Sequence, residues 1–225
     1  QYLHWWHRIH HPLKIGGMIE NLDITADGVL HGAFEVDSPF HGYLQRRLGL
    51  QDVDGDARAA TFVQCCCMNL VGNVPAFEKL TGLTSIELND NRLTYKIPGE
   101  LGDLPGLTRL DLRNNELFAG EGIPPRLGDL AELEFLLLGA NKLSGAIPSV
   151  LGKLTKLKEL DLSDNAFTGA IPMELSALTE LTRLSLRGNA LTGEIPPALG
   201  ALARLGVLEL AGNALRGCVP RCLDG

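Results

Sequence analysis

From Leu83 onward the chain repeats itself at intervals close to 24 residues, and a repeat of that length dictates a stack of similar coils. LTSIELNDNRLTYKIPGELGDLPG begins at Leu83, LTRLDLRNNELFAGEGIPPRLGDLAE at Leu107 and LEFLLLGANKLSGAIPSVLGKLTK at Leu133. LKELDLSDNAFTGAIPMELSALTE follows from Leu157, LTRLSLRGNALTGEIPPALGALAR from Leu181 and a truncated LGVLELAGNALRGCVPRCLDG from Leu205. The asparagines Asn91, Asn115, Asn141, Asn165, Asn189 and Asn213 stand 24, 26, 24, 24 and 24 residues apart. Composition agrees: apolar residues make 45% of the chain but aromatics only 5%, so a core must come from many thin, equal layers.

The spacing assigns a task to each position. In Leu110 and Leu112, or Leu160 and Leu162, a period of two puts both leucines on one face of a short strand. Stacked coils then set these strands side by side in a parallel sheet, about 4.8 Å apart. The asparagine comes where the chain leaves the strand. Its amide donates and accepts, so it is expected to satisfy backbone groups of its own and the next coil in one buried ladder. Leu143, Phe167 and Leu191 turn back into the core, and glycine takes the bend that follows. Ile-Pro ends the extended run, because proline fixes φ and keeps the preceding residue out of helix. The segment around Leu-Gly-x-Leu then forms a short helical turn.

A string such as LKELDLSDNAFTGAIPMELSAL resembles the plant-specific subclass of leucine-rich repeats, carried by receptor-kinase ectodomains, polygalacturonase-inhibitor proteins and algal repeat proteins. The match runs from about Ala59 to Gly225. The resemblance implies an α/β fold: a right-handed curved solenoid with a parallel β-sheet on the concave face and short helical turns on the convex side. It also implies a second set of short strands around Thr-Gly-x-Ile-Pro. Residues 59–225 then hold one degenerate coil, five full repeats and a truncated C-terminal repeat. In the degenerate coil Val63, Cys65, Met68, Leu70 and Val74 take the core positions. The repeat from Leu107 is two residues longer than its neighbours, and its extra residues, within FAGEG, are expected to bulge without breaking the sheet.

Residues 1–58 break the pattern and hold all six histidines and both tryptophans. They read as an irregular cap over the exposed end of the core, with strand-like alternation in MIENLDITADGVLHG. A sharper reading makes HWWHRIHH a metal site, since His4, His7 and His11 could share a helical face. No carboxylate or cysteine stands nearby to complete it, and Pro12 ends any helix. Trp5 and Trp6 could instead anchor a neighbouring subunit.

Five cysteines leave at least one thiol unpaired within the chain. Cys65 reads as a small buried hydrophobe, and Cys66 and Cys67 as tolerated neighbours rather than a redox motif. Cys218 and Cys222 lie where plant-type relatives often close the solenoid with a disulfide. A bridge or two free thiols both stay open. No histidine falls in the repeats, and no nucleophile elbow or phosphate-binding loop occurs, so neither enzyme chemistry, cofactor nor metal is expected. The net charge of −7, with no basic cluster beyond Arg46-Arg47, speaks against a nucleic-acid partner. No apolar run approaches the roughly 18 residues that span a bilayer. Family resemblance favours a secreted or extracellular-facing protein, while the odd cysteine count and the absence of an Asn-x-Ser/Thr sequon weigh against that reading.

Residues flanking the strand leucines point out of the sheet and form three columns. They are Ser85, Arg109, Phe135, Glu159, Arg183, Val207; then Glu87, Asp111, Leu137, Asp161, Ser185, Glu209; then Asn89, Arg113, Gly139, Ser163, Arg187, Ala211. Phe135 and Leu137 are expected to make an apolar centre, rimmed by Arg109, Arg113, Arg183 and Arg187 and by the acids Asp111, Glu159 and Asp161, which is the layout of a protein interface. The function expected is a protein-binding scaffold using this concave face, alone or as a subunit of an assembly. Alternatives are a receptor ectodomain and a module that binds wall polysaccharide or inhibits a wall-degrading enzyme. A glycan on the concave face is the weaker reading, because Phe135 is the one aromatic ring the columns offer.

Overall fold

The computed structural model describes residues 22–24, 29–32, 61–67, 70–77, 80–118, 122–217 and 220. Each coil lays down one three-residue strand at its Leu-x-Leu segment. The strands are β3 (Phe62–Gln64), β5 (Ser85–Glu87), β7 (Arg109–Asp111), β8 (Phe135–Leu137), β10 (Glu159–Asp161), β12 (Arg183–Ser185) and β14 (Val207–Glu209). All pair in parallel and in strict register, for example Leu110 with Leu136 and Leu160 with Leu184. A hairpin from the N-terminal region, β1 (Leu22–Ile24) and β2 (Val29–Gly32), adds itself at the β3 edge and completes a nine-stranded sheet. This hairpin falls in the segment where the sequence alternates; the histidine cluster, Trp5, Trp6, Met68, Cys218 and Cys222 lie outside the described residues.

Behind the concave sheet the repeated leucines form one continuous core, and nearly all of them are fully buried. Removing one such side chain to alanine costs about 2–5 kcal/mol, because the coil above cannot sink into the hole. The convex side consists of short 3-10 turns, Gly99–Asp103, Pro125–Asp129, Ser149–Lys153, Met173–Ala177 and Pro197–Ala201. Each starts after a proline in extended geometry, such as Pro148 at φ −68 and ψ 129. The glycine of Leu-Gly-x-Leu is there for a close approach: a Cβ at Gly102 would lie 2.1 Å from the Arg126 carbonyl oxygen, and one at Gly152 would lie 2.4 Å from that of Glu174.

A second, lateral ladder forms where Thr-Gly-x-Ile-Pro was expected to make strands. It comes in two pieces: β4 (Val71–Asn73) with β6 (Arg92–Thr94), and β9 (Ser144–Ala146) with β11 (Ala166–Ala170) and β13 (Ala190–Thr192). Among the described residues the longer repeat from Leu107 contributes no lateral strand, while the concave sheet runs through it unbroken; the extra residues expected to bulge lie partly outside the described residues.

The asparagines hold successive coils together. Asn141 Oδ1 accepts from Leu117 N–H (3.0 Å), and its Nδ2 donates to the carbonyls of Leu112 (2.9 Å) and Leu138 (3.1 Å). Asn91, Asn115, Asn165, Asn189 and Asn213 repeat this set. The link therefore runs to the preceding coil, not the next one as expected. Asn91, Asn115 and Asn141 are buried, whereas Asn165, Asn189 and Asn213 are half-buried, so the row opens toward the C-terminal end.

Candidate functional site

The concave sheet sets its outward residues in rows, because every strand presents the same positions in the same register. Along the first column Phe62 stands before Ser85, Arg109, Phe135, Glu159, Arg183 and Val207. Phe62 is 40% exposed and Val207 38%. Sequence reasoning did not include Phe62, although the alternation of Phe62, Val63 and Gln64 around a core valine carries the signal.

Charges on this face are mostly paired with one another. Arg109 reaches Glu87 (3.3 Å) and Asp111 (3.1 Å), and Arg113 joins Asp111 at 2.7 Å. Asp111 is almost entirely buried, so two guanidinium groups compensate a carboxylate that would otherwise be costly to desolvate. The hydrogen bond to Asp111 is the main cause that raises the Arg113 pKa above its ordinary value, with burial opposing and the charges of Asp111, Asp161 and Glu159 adding. A second cluster centres on Arg183, which lies 3.4 Å from Glu159 and 2.9 Å from Glu209. Glu87 and Glu209 are thus members of the network that the sequence-based set of contact residues lacked. Asp161 accepts from the Ser163 hydroxyl (2.6 Å) and backbone amide (3.0 Å). Arg187 is exposed and forms no salt bridge among the described residues.

Three of the expected contact residues are not surface residues. Leu137 is 1% exposed, Asp111 1% and Ser185 2%. All three occupy the middle column. Leu137 has Asp111 and Asp161 as its register neighbours, and the arginines gather on Asp111 beside it. The expected apolar centre of Phe135 and Leu137 therefore reduces to Phe135. Its ring is half-buried and carries the Arg109 guanidinium over it, 5.2 Å from the centroid. Arg109, Arg113, Glu159, Asp161, Arg183 and Arg187 keep access to solvent.

At the N-terminal end of the third column lies the cysteine run. Cys65 is buried, and that burial, with a smaller contribution from Cys66, pushes its thiol pKa up to about 12. Cys66 is half-buried and Cys67 exposed, and none of the three is in a disulfide. Among the described residues no group of three potential ligands can hold a metal ion, and no helix is long and apolar enough to cross a membrane.

The family model described as Leucine rich repeat matches residues 73–117 and 129–191, and a second Leucine Rich Repeat model matches residues 106–130. No curated protein matches the chain. Among solved structures it is similar to the plant peptide hormone receptor RGFR1 in complex with RGF2, with 34% identity, a TM-score of 0.71, and coverage of 74% of this chain and 27% of that one. The ectodomain of the Arabidopsis receptor kinase HAESA, in complex with an N-terminal extended IDA peptide hormone ligand, is similar at 35% identity and TM-score 0.65, over 69% of this chain and 26% of that one. A plant ice-binding protein is similar at 32% identity and TM-score 0.64, over 70% of this chain and 50% of that one. The chain thus spans about a quarter of each receptor chain and half of the ice-binding protein.

Proposed function

Because the chain belongs to the plant type of the leucine-rich-repeat family, we propose that it binds an extended segment of another protein along its concave sheet. The contacts are Phe135, Arg109, Glu159, Arg183 and Arg187. One observation carries this reading: the outer columns are the strand positions left free by the core, and their side chains differ from coil to coil. Leucines and asparagines are committed to the stack, and the convex turns repeat too uniformly to encode specificity. The solved relatives include receptors in complex with peptide hormones, which supports a peptide as the partner. In this reading the protein faces the outside of the cell, as ectodomains do, and acts by binding rather than by catalysis.

A random peptide library selected against the chain tests it. Peptides that bind the wild type and lose affinity for Phe135→Glu and Arg187→Glu proteins support the site. Selected peptides that bind both variants as tightly as the wild type move the site elsewhere.

The lateral sheet supports a second reading. Ala146, Ala166, Thr168, Ala170, Ala190 and Thr192 are exposed there, so small hydroxyl and methyl groups recur across the three strands at the strand spacing of about 4.8 Å. A plant ice-binding protein is among the similar structures. An ice-recrystallisation assay decides: activity that Thr168→Lys abolishes supports an ice-facing lateral sheet, and its absence in the wild type removes the reading.

A further inference from the structure

Among the charges of the concave columns, two lack a partner of opposite sign within the described residues. Glu87, Asp111, Glu159 and Glu209 each meet an arginine, and Arg109, Arg113 and Arg183 are taken up in doing so. Asp161 and Arg187 are left over. They stand on neighbouring strands, since Asp161 is the register mate of Ser185, two residues before Arg187. They are still not joined, because the Asp161 carboxylate leans the other way. The Ser163 hydroxyl (2.6 Å) and backbone amide (3.0 Å) hold its Oδ1. A Cβ built on Gly139, in the preceding coil, would lie 2.8 and 2.9 Å from its two oxygens. Gly139 is not in the left-handed region, so no bend requires glycine there. Its missing side chain makes room for the carboxylate.

Asp111 shows what a carboxylate in this position takes. It occupies the same middle column two coils earlier, and the outward residues beside it on its own strand are arginines. Arg113 donates Nε to Oδ1 at 3.0 Å and Nη2 to Oδ2 at 2.7 Å, and Arg109 adds Nη2 to Oδ2 at 3.1 Å. Beside Asp161 the same two places hold Glu159 and Ser163, which bring no cation. Its Oδ2 accepts nothing among the described residues, and the side chain is half-buried where Asp111 is 1% exposed.

We propose that Asp161 seats a basic side chain of the partner, arginine ahead of lysine, in the way that Asp111 holds Arg113, while an acidic residue of the same segment reaches Arg187. This deepens the concave-face reading and rests on it. The seat lies over Gly139, and Arg187 is two coils further along the same column. The partner's two charges are therefore set about 10 Å apart, or two to four residues in an extended chain.

A random peptide library selected in parallel on the wild-type chain and on Asp161→Asn protein tests the seat. Asparagine keeps an acceptor for Ser163 without the charge, so the urea midpoint stays that of the wild type. Wild-type selection yields peptides with an arginine or lysine two to four residues from an aspartate or glutamate. Selection on Asp161→Asn keeps the acidic residue and loses the basic one. In a selected peptide, exchanging the basic residue for norleucine weakens binding to wild-type protein by about three- to tenfold and leaves binding to Asp161→Asn protein unchanged. The difference shrinks as salt rises. Gly139→Ala displaces the carboxylate but keeps its charge, and as a second variant it lowers the preference for the basic residue in the same way. Peptides that lose affinity for Phe135→Glu and Arg187→Glu proteins, yet carry no basic residue or bind Asp161→Asn as tightly as wild type, overturn the seat and leave the concave face standing. Peptides indifferent to all these substitutions overturn both.

Discussion

Replacing Asn165 by alanine removes four hydrogen bonds: the one accepted from Leu143 N–H (3.0 Å) and those donated to the carbonyls of Leu138 (3.0 Å), Ser163 (3.0 Å) and Leu162 (3.3 Å). The four losses are unequal. Leu138 keeps the Asn141 amide at 3.1 Å, Leu162 keeps that of Asn189 at 2.9 Å, and Ser163 keeps the Ala140 N–H at 2.9 Å. Leu143 N–H, by contrast, has no other acceptor among the described residues. Stranding one buried amide costs about 1–3 kcal/mol, and three weakened carbonyls add a few tenths each, so the total comes to about 2–4 kcal/mol. A typical domain holds about 5–15 kcal/mol in all, so the effect is large enough to measure. Urea unfolding followed by circular dichroism reads it as a lowered midpoint with an unchanged slope. Asn165→Asp is a sharper comparison, because it keeps the acceptor for Leu143 but turns a carboxylate toward three carbonyl oxygens. It should lose at least as much at neutral pH. A loss below about 0.5 kcal/mol in the alanine protein would falsify the claim that this amide ties coils together.

Leu137→Asp should destabilise by more than about 3 kcal/mol, since it buries a carboxylate between Asp111 and Asp161, while Phe135→Glu should leave the urea midpoint nearly unchanged. Equal midpoints in the two proteins would mean that Leu137 is as accessible as Phe135. Iodoacetamide should label Cys67 and spare Cys65, whose pKa of about 12 keeps it a protonated thiol across the usable range. The Cys67 pKa is also raised, by desolvation first and then by Cys66 and Asp90, so its labelling rate should still be climbing above pH 9, and a plateau below that pH contradicts the shift. Residues 1–58 we propose as a cap, because β2 covers the edge of β3; a chain lacking them should aggregate, and one that stays monomeric with the same melting temperature ends that idea.

Much of the fold is legible in the sequence because each coil states the same instruction again. Period two gives the strand, Ile-Pro its end, and the constant spacing the register that Leu136, Leu160 and Leu184 share. The direction of the asparagine link was not legible. Residue spacing within one coil does not say on which side its neighbour lies; only the handed rise of the stack decides that Asn141 meets Leu112 and Leu117. The Leu-Gly pair was read as part of a helical turn, but Gly102 and Gly152 are there because the backbone of the next coil touches them. Such a contact leaves no mark inside a single repeat.

For the concave face, alternation along a strand gives the direction of a side chain but not its access to solvent. In the middle column Asp111 and Ser185 sit between long arginines on their own strands and Leu137 lies between Asp111 and Asp161, and all three are buried although the alternation points them outward. In the proposed binding mode a partner meets mainly the outer columns, with Glu87, Asp161 and Glu209 half-buried between them. There the arginines are already held: Arg109 between Glu87 and Asp111, Arg113 on Asp111, and Arg183 between Glu159 and Glu209. Side chains ordered in advance lose less rotamer freedom on binding, so this network favours affinity even though its surface ion pairs add little to stability. It also ranks the contacts. A partner carboxylate that takes Arg109 or Arg183 must break an existing pair, whereas Arg187 accepts one without loss. An acidic residue of the partner should therefore seat at Arg187, two coils beyond Phe135 and four residues past its register mate Arg183, so two strand spacings of about 4.8 Å across the sheet and about 13 Å along the strand separate it from the ring by roughly 16 Å.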